Sequence, residues 1–178
     1  LVAALGVILV VGVLAGRAFR EPARATSIAG MTVLEPALPL PEFRLHDQSN
    51  QLFDRARLQG KWSFVFFGYT HCPDICPTTL ADMAAVMKLL GSDAARVQVL
   101  FVTVDPERDT PDILANYVTA FDSSFIGLSG DAAAAQRAAK EFKIFYEKRQ
   151  GGAPGAYTVD HSGQSYVLDA QGRLRLFV

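Results

Sequence analysis

Two cysteines, Cys72 and Cys76, are the residues of this 178-residue sequence most able to do chemistry, and it contains no others. Three residues separate them. At positions i and i+4 of a helical turn, their α-carbons would lie about 6 Å apart with both sulfurs on one face. That separation suits an intramolecular disulfide, and it equally allows two thiolates to hold one small, soft metal ion. The spacing leaves both chemistries open.

The two cysteines lie where an apolar run ends and a helical pattern begins, between Phe67 and Leu80. In α/β folds, ligands collect beyond the carboxyl ends of the strands, so this is a favourable place for a site. A cysteine at a helix N-terminus also meets unpaired amides and the positive end of the helix dipole, which favour the thiolate. We therefore expect both thiols to ionise easily.

The elements that must position the cysteines follow from the apolar pattern. Short unbroken apolar runs predict buried strands, and apolar residues at helical spacing predict helices. Gly91 is expected to end the first helix, and Thr110 with Pro111 to begin the second. The order β-α-β-α-β, followed by a helix and a hairpin, predicts an α/β fold: a thioredoxin-like sandwich with a central mixed sheet. The predicted strands are 63–67, 97–104, 125–128, 165–168 and 173–178, and the predicted helices are 77–90, 111–121 and 131–142.

The beginning of the sequence has a different composition. Residues 1–16 carry no charged or strongly polar side chain, and Arg17 ends the run. A membrane-spanning helix needs about 20 apolar residues, so we interpret residues 1–20 as part of an N-terminal membrane anchor, with a cleaved signal peptide as the alternative. Residues 21–41 are expected to be a linker and residues 42–178 the thioredoxin-like domain. The C-terminal helix usual in such a fold is not expected within this sequence.

The charge balance argues against one class of partner. The sequence has 17 basic and 18 acidic residues, a formal charge of −1, and no run rich in lysine or arginine. Binding to nucleic acid depends on basic surfaces that neutralise phosphates. We therefore expect no nucleic-acid partner.

A metal at the cysteines would need a third ligand, because two sulfurs leave most ions under-coordinated. Three histidines are candidates. His71 adjoins Cys72, but neighbouring side chains diverge on an extended or helical backbone. His46 lies in a polar stretch that predicts a solvated turn. His161 precedes the strand expected at residue 165, in a loop that would lie against the cysteine turn. Position alone leaves His161 open between a ligand and an ordinary loop histidine.

Three segments together resemble the signature blocks of one known family, the Sco/SenC copper proteins. They occur in the family's order and with its approximate separations, and the match runs from about residue 41 to residue 178. The resemblance implies a thioredoxin-like fold, an N-terminal membrane anchor, and one copper per chain bound by two cysteines and a distal histidine. By position, these ligands are Cys72, Cys76 and His161. The three segments are Gly-Tyr-Thr-His-Cys-Pro-Asp-Ile-Cys-Pro-Thr (68–78), Val-Asp-Pro-Glu-Arg-Asp-Thr-Pro (104–111) and Val-Asp-His-Ser (159–162).

The resemblance also implies a function. It is that of a copper metallochaperone that loads the dinuclear copper (CuA) centre of cytochrome c oxidase subunit II, at the bacterial inner membrane with the domain in the periplasm. The mitochondrial inner membrane and intermembrane space are the alternative location, and another periplasmic copper chaperone is a second expected partner. A dedicated thiol–disulfide reductase of the oxidase cysteines and a copper or redox sensor remain as alternatives. Two thiolates suit Cu(I), and an added imidazole suits both Cu(I) and Cu(II).

Other polar residues near the cysteines have structural or functional interpretations. Asp74 is expected at the surface, with tuning of the metal charge or contact with a partner as the alternative. Asp160 could accept the free ring N–H of His161. Arg108 and Asp109 lie on the same side of the predicted sheet as the cysteines, where they could steer a partner or support the site. Helical spacing favours Met83 and Met87 as core residues and not copper ligands.

Overall fold

The computed structural model describes residues 24–152 and 156–178, which form a nine-stranded mixed sheet, a separate two-stranded sheet and three α-helices. The strands are β1 (Arg24–Ile28), β2 (Met31–Pro39), β3 (Arg44–Asp47), β4 (Leu52–Asp54), β5 (Trp62–Gly68), β6 (Val97–Thr103), β7 (Ile126–Ser129), β8 (Tyr146–Gln150), β9 (Tyr157–His161), β10 (Ser165–Leu168) and β11 (Arg173–Phe177). The strand order in the large sheet is β1-β2-β11-β10-β5-β6-β7-β3-β4, and β8 pairs with β9. Only β5–β6 and β6–β7 are parallel among these described pairs.

The helices begin and end at residues suited to those places. Helix α1 (Ile75–Leu90) ends at Gly91, whose φ of 54° is left-handed. Helix α2 (Pro111–Thr119) starts with proline, and the Thr110 side chain accepts a hydrogen bond from the amide of Ile113. Helix α3 (Ala132–Glu141) is capped in the same way by Asp131. Short 3₁₀ turns occupy Arg55–Leu58 and Gly91–Arg96.

Alternate residues of the central strands build a core on each face of the sheet. Phe66 of β5 and Phe101 of β6 face α1 and α2, in a cluster that also contains Cys76. Val65 and Phe67 face the other side, where α3 and β9 pack. The strands are therefore covered on both faces, as their unbroken apolar runs predict. The expected α/β sandwich with a central mixed sheet is confirmed, and Met83 and Met87 are buried in the core as expected.

The segment expected as a linker differs in the structure. Residues 24–28 and 31–39 of the predicted linker 21–41 form the hairpin β1–β2, and β2 pairs with β11. The prolines concealed this strand, since proline cannot donate to a ladder. Among the described residues, Glu35 is the last residue of β2 that pairs with β1, and Pro36 follows it. Within the predicted linker, this hairpin therefore extends the main sheet.

The expected membrane anchor, residues 1–20, lies outside the described residues. Among residues 24–152 and 156–178, no helix is long and apolar enough to cross a membrane. The apolar run at residues 1–16 therefore keeps its interpretation as an anchor on sequence grounds alone.

Two histidines lie in strands where loops were expected. His46 is in β3, paired with Ser129, and its side chain points outward and is exposed. His161 is the last residue of β9 and pairs with Tyr146 of β8. The charged sequence of β8 hid this hairpin, because four of its five residues are exposed and show no alternation. The position of His161 is therefore set by a strand and not by a loop.

We expect Leu114→Ala to lower the free energy of unfolding by about 2–5 kcal/mol, because the Leu114 side chain is fully buried between α2 and the sheet. Its neighbour Ile113 is 40% exposed, so Ile113→Ala should cost less than about 1 kcal/mol. Urea unfolding followed by circular dichroism would measure both. Equal losses for the two variants would contradict the described packing of α2.

Candidate metal centre

The cysteine turn begins where β5 ends. Gly68 is the last residue of β5, and a Cβ added there would lie 2.6 Å from the Cys76 sulfur and 2.9 Å from the Phe101 ring. Only glycine allows the sulfur to come this close to the strand. The amide of Cys72 donates to the carbonyl of Tyr69 (3.2 Å), which folds the turn back over the strand end. Cys76 then lies in the first turn of α1, with its side chain in the core.

Strand β9 brings His161 to the same point. The two cysteine sulfurs and one ring nitrogen of His161 all lie within 4.8 Å of one another. The Cys76 sulfur lies 3.4 Å from His161 Nε2. Metal–sulfur and metal–nitrogen bonds of about 2–2.3 Å put the ligands of one ion about 4 Å apart. The structure therefore brings together three donors that could hold one metal ion.

The ring of His161 is fixed in both tautomer and orientation. Its Nδ1 lies 3.1 Å from the carbonyl oxygen of Ser162, and a carbonyl can only accept, so Nδ1 carries the proton. In the neutral ring Nε2 then has the lone pair, and it is the nitrogen that faces Cys76. Phe66 and Tyr69 contact the ring edge-to-face at centroid distances of 6.1 and 5.8 Å. This hydrogen-bonding pattern is typical of histidines that bind metals.

The protonation of Cys76 differs from the sequence expectation. The side chain has no exposed surface, and burial raises the pKa of the Cys76 thiol, against a lesser opposing effect of a backbone hydrogen bond at Tyr69. The expectation that both thiols ionise easily is therefore wrong for Cys76. Desolvation among apolar neighbours raises this pKa more than the helix N-terminus lowers it. Binding of a metal cation would displace this proton, because the thiolate and not the thiol is the ligand.

Comparison with known proteins decides the family. A family model described as SCO1/SenC matches residues 33–178. The chain belongs to the SCO1/SenC family. A SCO2-like protein of Rickettsia felis is 38% identical over 133 residues, which cover 74% of this chain and 65% of that protein. The chain thus spans slightly less than two thirds of that relative.

Solved structures of family members have the same fold. Bradyrhizobium japonicum ScoI, with copper bound, is 40% identical and superposes with a TM-score of 0.73, covering 76% of this chain and 86% of that one. Yeast Sco1, with copper bound, is 35% identical with a TM-score of 0.71, covering 78% and 77%. The predicted family and the thioredoxin-like fold are confirmed.

Asp109, which the sequence suggested as a supporting or partner-steering residue, lies beneath the cysteine turn of this family member. Its carboxylate is fully buried and accepts hydrogen bonds from the amide (3.1 Å) and hydroxyl (2.6 Å) of Thr70 and from the hydroxyl of Thr103. The Thr70 hydroxyl in turn lies 3.0 Å from His71 Nδ1. Asp109 therefore holds the turn and is not available to a partner. His71 lies half-exposed beside the turn, outside the group of three donors.

The other suggested residues have different surroundings. Asp160 forms an ion pair with Arg149 (2.9 Å), and the carbonyl of Ser162 takes the ring N–H of His161 instead. Asp74 is exposed at the start of α1 and makes no capping hydrogen bond with its side chain. Arg108 is bound to Asp105 and to the backbone of β9, so it does not extend towards solvent as a steering charge would.

Several residues at the site were not found from the sequence. The carbonyl of Ser162 and the rings of Phe66 and Tyr69 orient His161, and Tyr157 anchors the strand that carries it. Backbone carbonyls carry no residue-type signal. A strand at residues 157–161 could have been predicted, because its alternate residues have an aromatic, apolar and imidazole side chain on one face.

We expect iodoacetamide to modify Cys72 faster than Cys76, by on the order of tenfold or more, because Cys72 is partly exposed while Cys76 is buried with a raised pKa. The reduced variants Cys76→Ser and Cys72→Ser isolate one thiol each, and mass spectrometry gives the rates. Faster reaction of the Cys72→Ser variant would show that Cys76 is the more accessible thiolate. Denatured protein, in which both thiols react alike, is the control.

Proposed function

We propose that this chain is a copper metallochaperone, which binds one copper ion through Cys72, Cys76 and His161 and delivers it to the CuA centre of cytochrome c oxidase subunit II. The observation that carries the proposal is the convergence of two sulfurs and an imidazole nitrogen within 4.8 Å, from separate elements of the fold. Membership of the SCO1/SenC family supports it, as do the copper-bound structures of two relatives.

The donor set fits copper in both oxidation states. Two soft thiolates favour Cu(I), and the borderline imidazole lets the same site accept Cu(II). Structural zinc sites usually close with four protein ligands. Among the described residues, this metal-ligand group contains only three. A three-ligand copper site keeps a position open for a ligand from another protein.

The exposure of the ligands suits the transfer of copper as cargo. Cys72 and His161 are partly exposed, whereas Cys76 lies wholly in the core. An incoming thiolate or imidazole from an acceptor can therefore displace the two outer ligands first while Cys76 retains the ion. Ligand exchange in this order keeps copper bound throughout and releases none to solvent. A periplasmic copper chaperone would load the site by the reverse order.

The proposal includes a location. The apolar residues 1–16 support attachment to the bacterial inner membrane with the domain in the periplasm, where disulfides also persist. The mitochondrial inner membrane, with the domain in the intermembrane space, is the alternative. Fractionation of cells that express the natural protein would distinguish membrane-attached from released protein.

We expect the reduced protein to bind one copper per chain, and Cys72→Ser or Cys76→Ser to abolish tight Cu(II) binding. His161→Ala should weaken Cu(II) binding by more than about 100-fold, because loss of a residue that only supports a metal ligand can already cost about that much. Cu(I) binding should weaken by less, because two thiolates can hold Cu(I) alone. Competition titrations with Cu(I) and Cu(II) chelators measure both affinities, and the thiolate-to-Cu(II) charge-transfer band identifies the sulfur ligands.

Two histidine variants serve as matched controls for this experiment. His46→Ala removes an exposed imidazole from β3, and His71→Ala removes the one beside the cysteine turn. Both should bind copper like the parent protein. If His161→Ala retained full Cu(II) affinity, or if His71→Ala carried the loss, His161 would not be a ligand and the copper proposal would lose its third donor.

A second function, thiol–disulfide reduction of the oxidase cysteines, is favoured by the unequal exposure of the two thiols. The Cys72 thiolate would attack a substrate disulfide and form a mixed disulfide, releasing one substrate thiolate. The Cys76 thiol would then pass its proton to the released substrate thiolate and attack the Cys72 sulfur, releasing the second substrate thiolate. The substrate gains two electrons, and the cysteine pair becomes a disulfide.

The reductase alternative predicts that Cys76→Ser traps the mixed disulfide, since the residue that resolves it is gone. Mass spectrometry of this variant after incubation with a synthetic peptide disulfide would detect the adduct. Cys72→Ser, which lacks the attacking thiol, should form none and is the control. Absence of an adduct with Cys76→Ser under conditions where glutathione disulfide does react would exclude this function.

A further inference from the structure

The strand that carries His161 is not part of the main sheet. Strands β8 and β9 pair only with each other among the described residues and form a sheet of their own. The main sheet positions the cysteines, so the distance from His161 to the cysteines depends on how this hairpin is attached to the domain. Alternate residues of β9 share a face, which puts Tyr157, Val159 and His161 on one side. Val159 is buried in the core, so this side faces the domain.

Tyr157, at the beginning of β9, is held by two residues of the turn that follows β6. Its hydroxyl donates to Asp105 (2.8 Å), and its backbone carbonyl accepts from Arg108 (3.1 Å). The Arg108 guanidinium lies 3.6 Å above the centre of the Tyr157 ring and also donates to the Asp105 carboxylate. Three side chains therefore form a closed set of contacts, which we call the Tyr157 clamp.

The clamp depends on the shape of the guanidinium group. The Asp105 side chain is fully buried, so its charge needs a partner that also satisfies its hydrogen bonds. One planar guanidinium binds the carboxylate, the backbone of β9 and the face of a ring at the same time. Lysine keeps the charge but has neither the fork nor the planar face. Lys148 adds an outer contact, an ion pair of 2.7 Å with Glu107.

The same turn also supports the other half of the metal centre. Its residue Asp109 holds the cysteine turn through Thr70, and the amide of Val104 donates to the carbonyl of Gly68 (2.8 Å). Residues 104–109 thus contact the cysteine turn on one side and the His161 strand on the other. A single rigid turn can fix the distance between ligands that come from two separate sheets.

We propose that Arg108 and Tyr157 are positioning residues that set the separation of His161 from the two cysteines. The inference deepens the proposed copper function and rests on it. Neither side chain is a ligand: both act through β9, whose extended backbone carries their position to His161 four residues later. Loss of the clamp should release His161 from the site while the cysteines remain in place.

The test uses Arg108→Lys and Tyr157→Phe, which keep the charge and the ring, respectively. Arg108→Lys should weaken Cu(II) binding about 10–100-fold, the usual effect of losing a residue that supports a metal ligand. It should also reduce the nitrogen hyperfine coupling in the Cu(II) electron paramagnetic resonance spectrum. Its Cu(I) affinity should change much less. Tyr157→Phe should act in the same direction with a smaller loss, because stacking on Arg108 remains.

A second measurement needs no metal. Hydrogen exchange of the copper-free protein should show faster exchange of the β9 amides in both variants, with exchange in β5 and β6 unchanged. The matched control is Arg149→Lys, which alters an exposed arginine of the same hairpin that pairs with Asp160 on the outer side. It should match the parent in copper affinity, spectrum and exchange.

The outcomes separate the two proposals. If the parent protein binds no copper, the proposed function fails, and hydrogen exchange still decides whether the clamp orders β9. If Arg108→Lys retains the parent's Cu(II) affinity, nitrogen coupling and β9 exchange, the positioning role is overturned. Equal losses of Cu(I) and Cu(II) together with faster exchange in β5 and β6 would also overturn it, because they indicate general destabilisation.

Discussion

The candidate metal centre depends on the burial of one sulfur atom. Cys76 is at once a residue of the apolar core and a candidate ligand, and the absence of a side chain at Gly68 gives its sulfur room against the end of β5. A buried thiol is stable as a neutral group, but a buried thiolate needs a cation beside it. The core thus resists ionisation until a metal ion supplies the compensating charge. This constraint links folding to metal binding, since both use the same atom.

Much of the fold could be predicted because its central strands are covered on both faces. Such strands appear as unbroken apolar runs, and β5, β6 and β10 were found within about one residue of their observed ends. The helices followed from their spacing and from Thr110 and Gly91 at their ends. The remaining hairpins were not predicted, because their strands lack such unbroken apolar runs. Hairpin β1–β2 and strand β8 carry prolines or charges and owe their structure to pairing partners, which local sequence does not reveal.

The residues of the candidate site could be predicted from the sequence, but the ionisation of Cys76 could not. Residue types and spacing alone left three histidines open, and the family resemblance selected His161, which the structure places beside Cys76. The ionisation of Cys76 was misjudged because a helix N-terminus is visible in sequence, whereas desolvation by residues distant in the chain is not. Arg108 and Asp109 were recognised as neighbours of the site. Both point inward: Arg108 binds the buried carboxylate of Asp105, and the carboxylate of Asp109 is itself buried. The sequence does not show this burial.

The alternation of β9 has a consequence for the comparison of relatives. Tyr157 and His161 lie on one face because an even number of residues separates them, and insertion or deletion of one residue between them would turn the imidazole outward. Such a relative would still contain both cysteines and a histidine in the expected order. A search by ligand types alone would count it as a copper protein. The interval between the tyrosine and the histidine is therefore a stricter criterion for such a centre than the presence of the three candidate ligands.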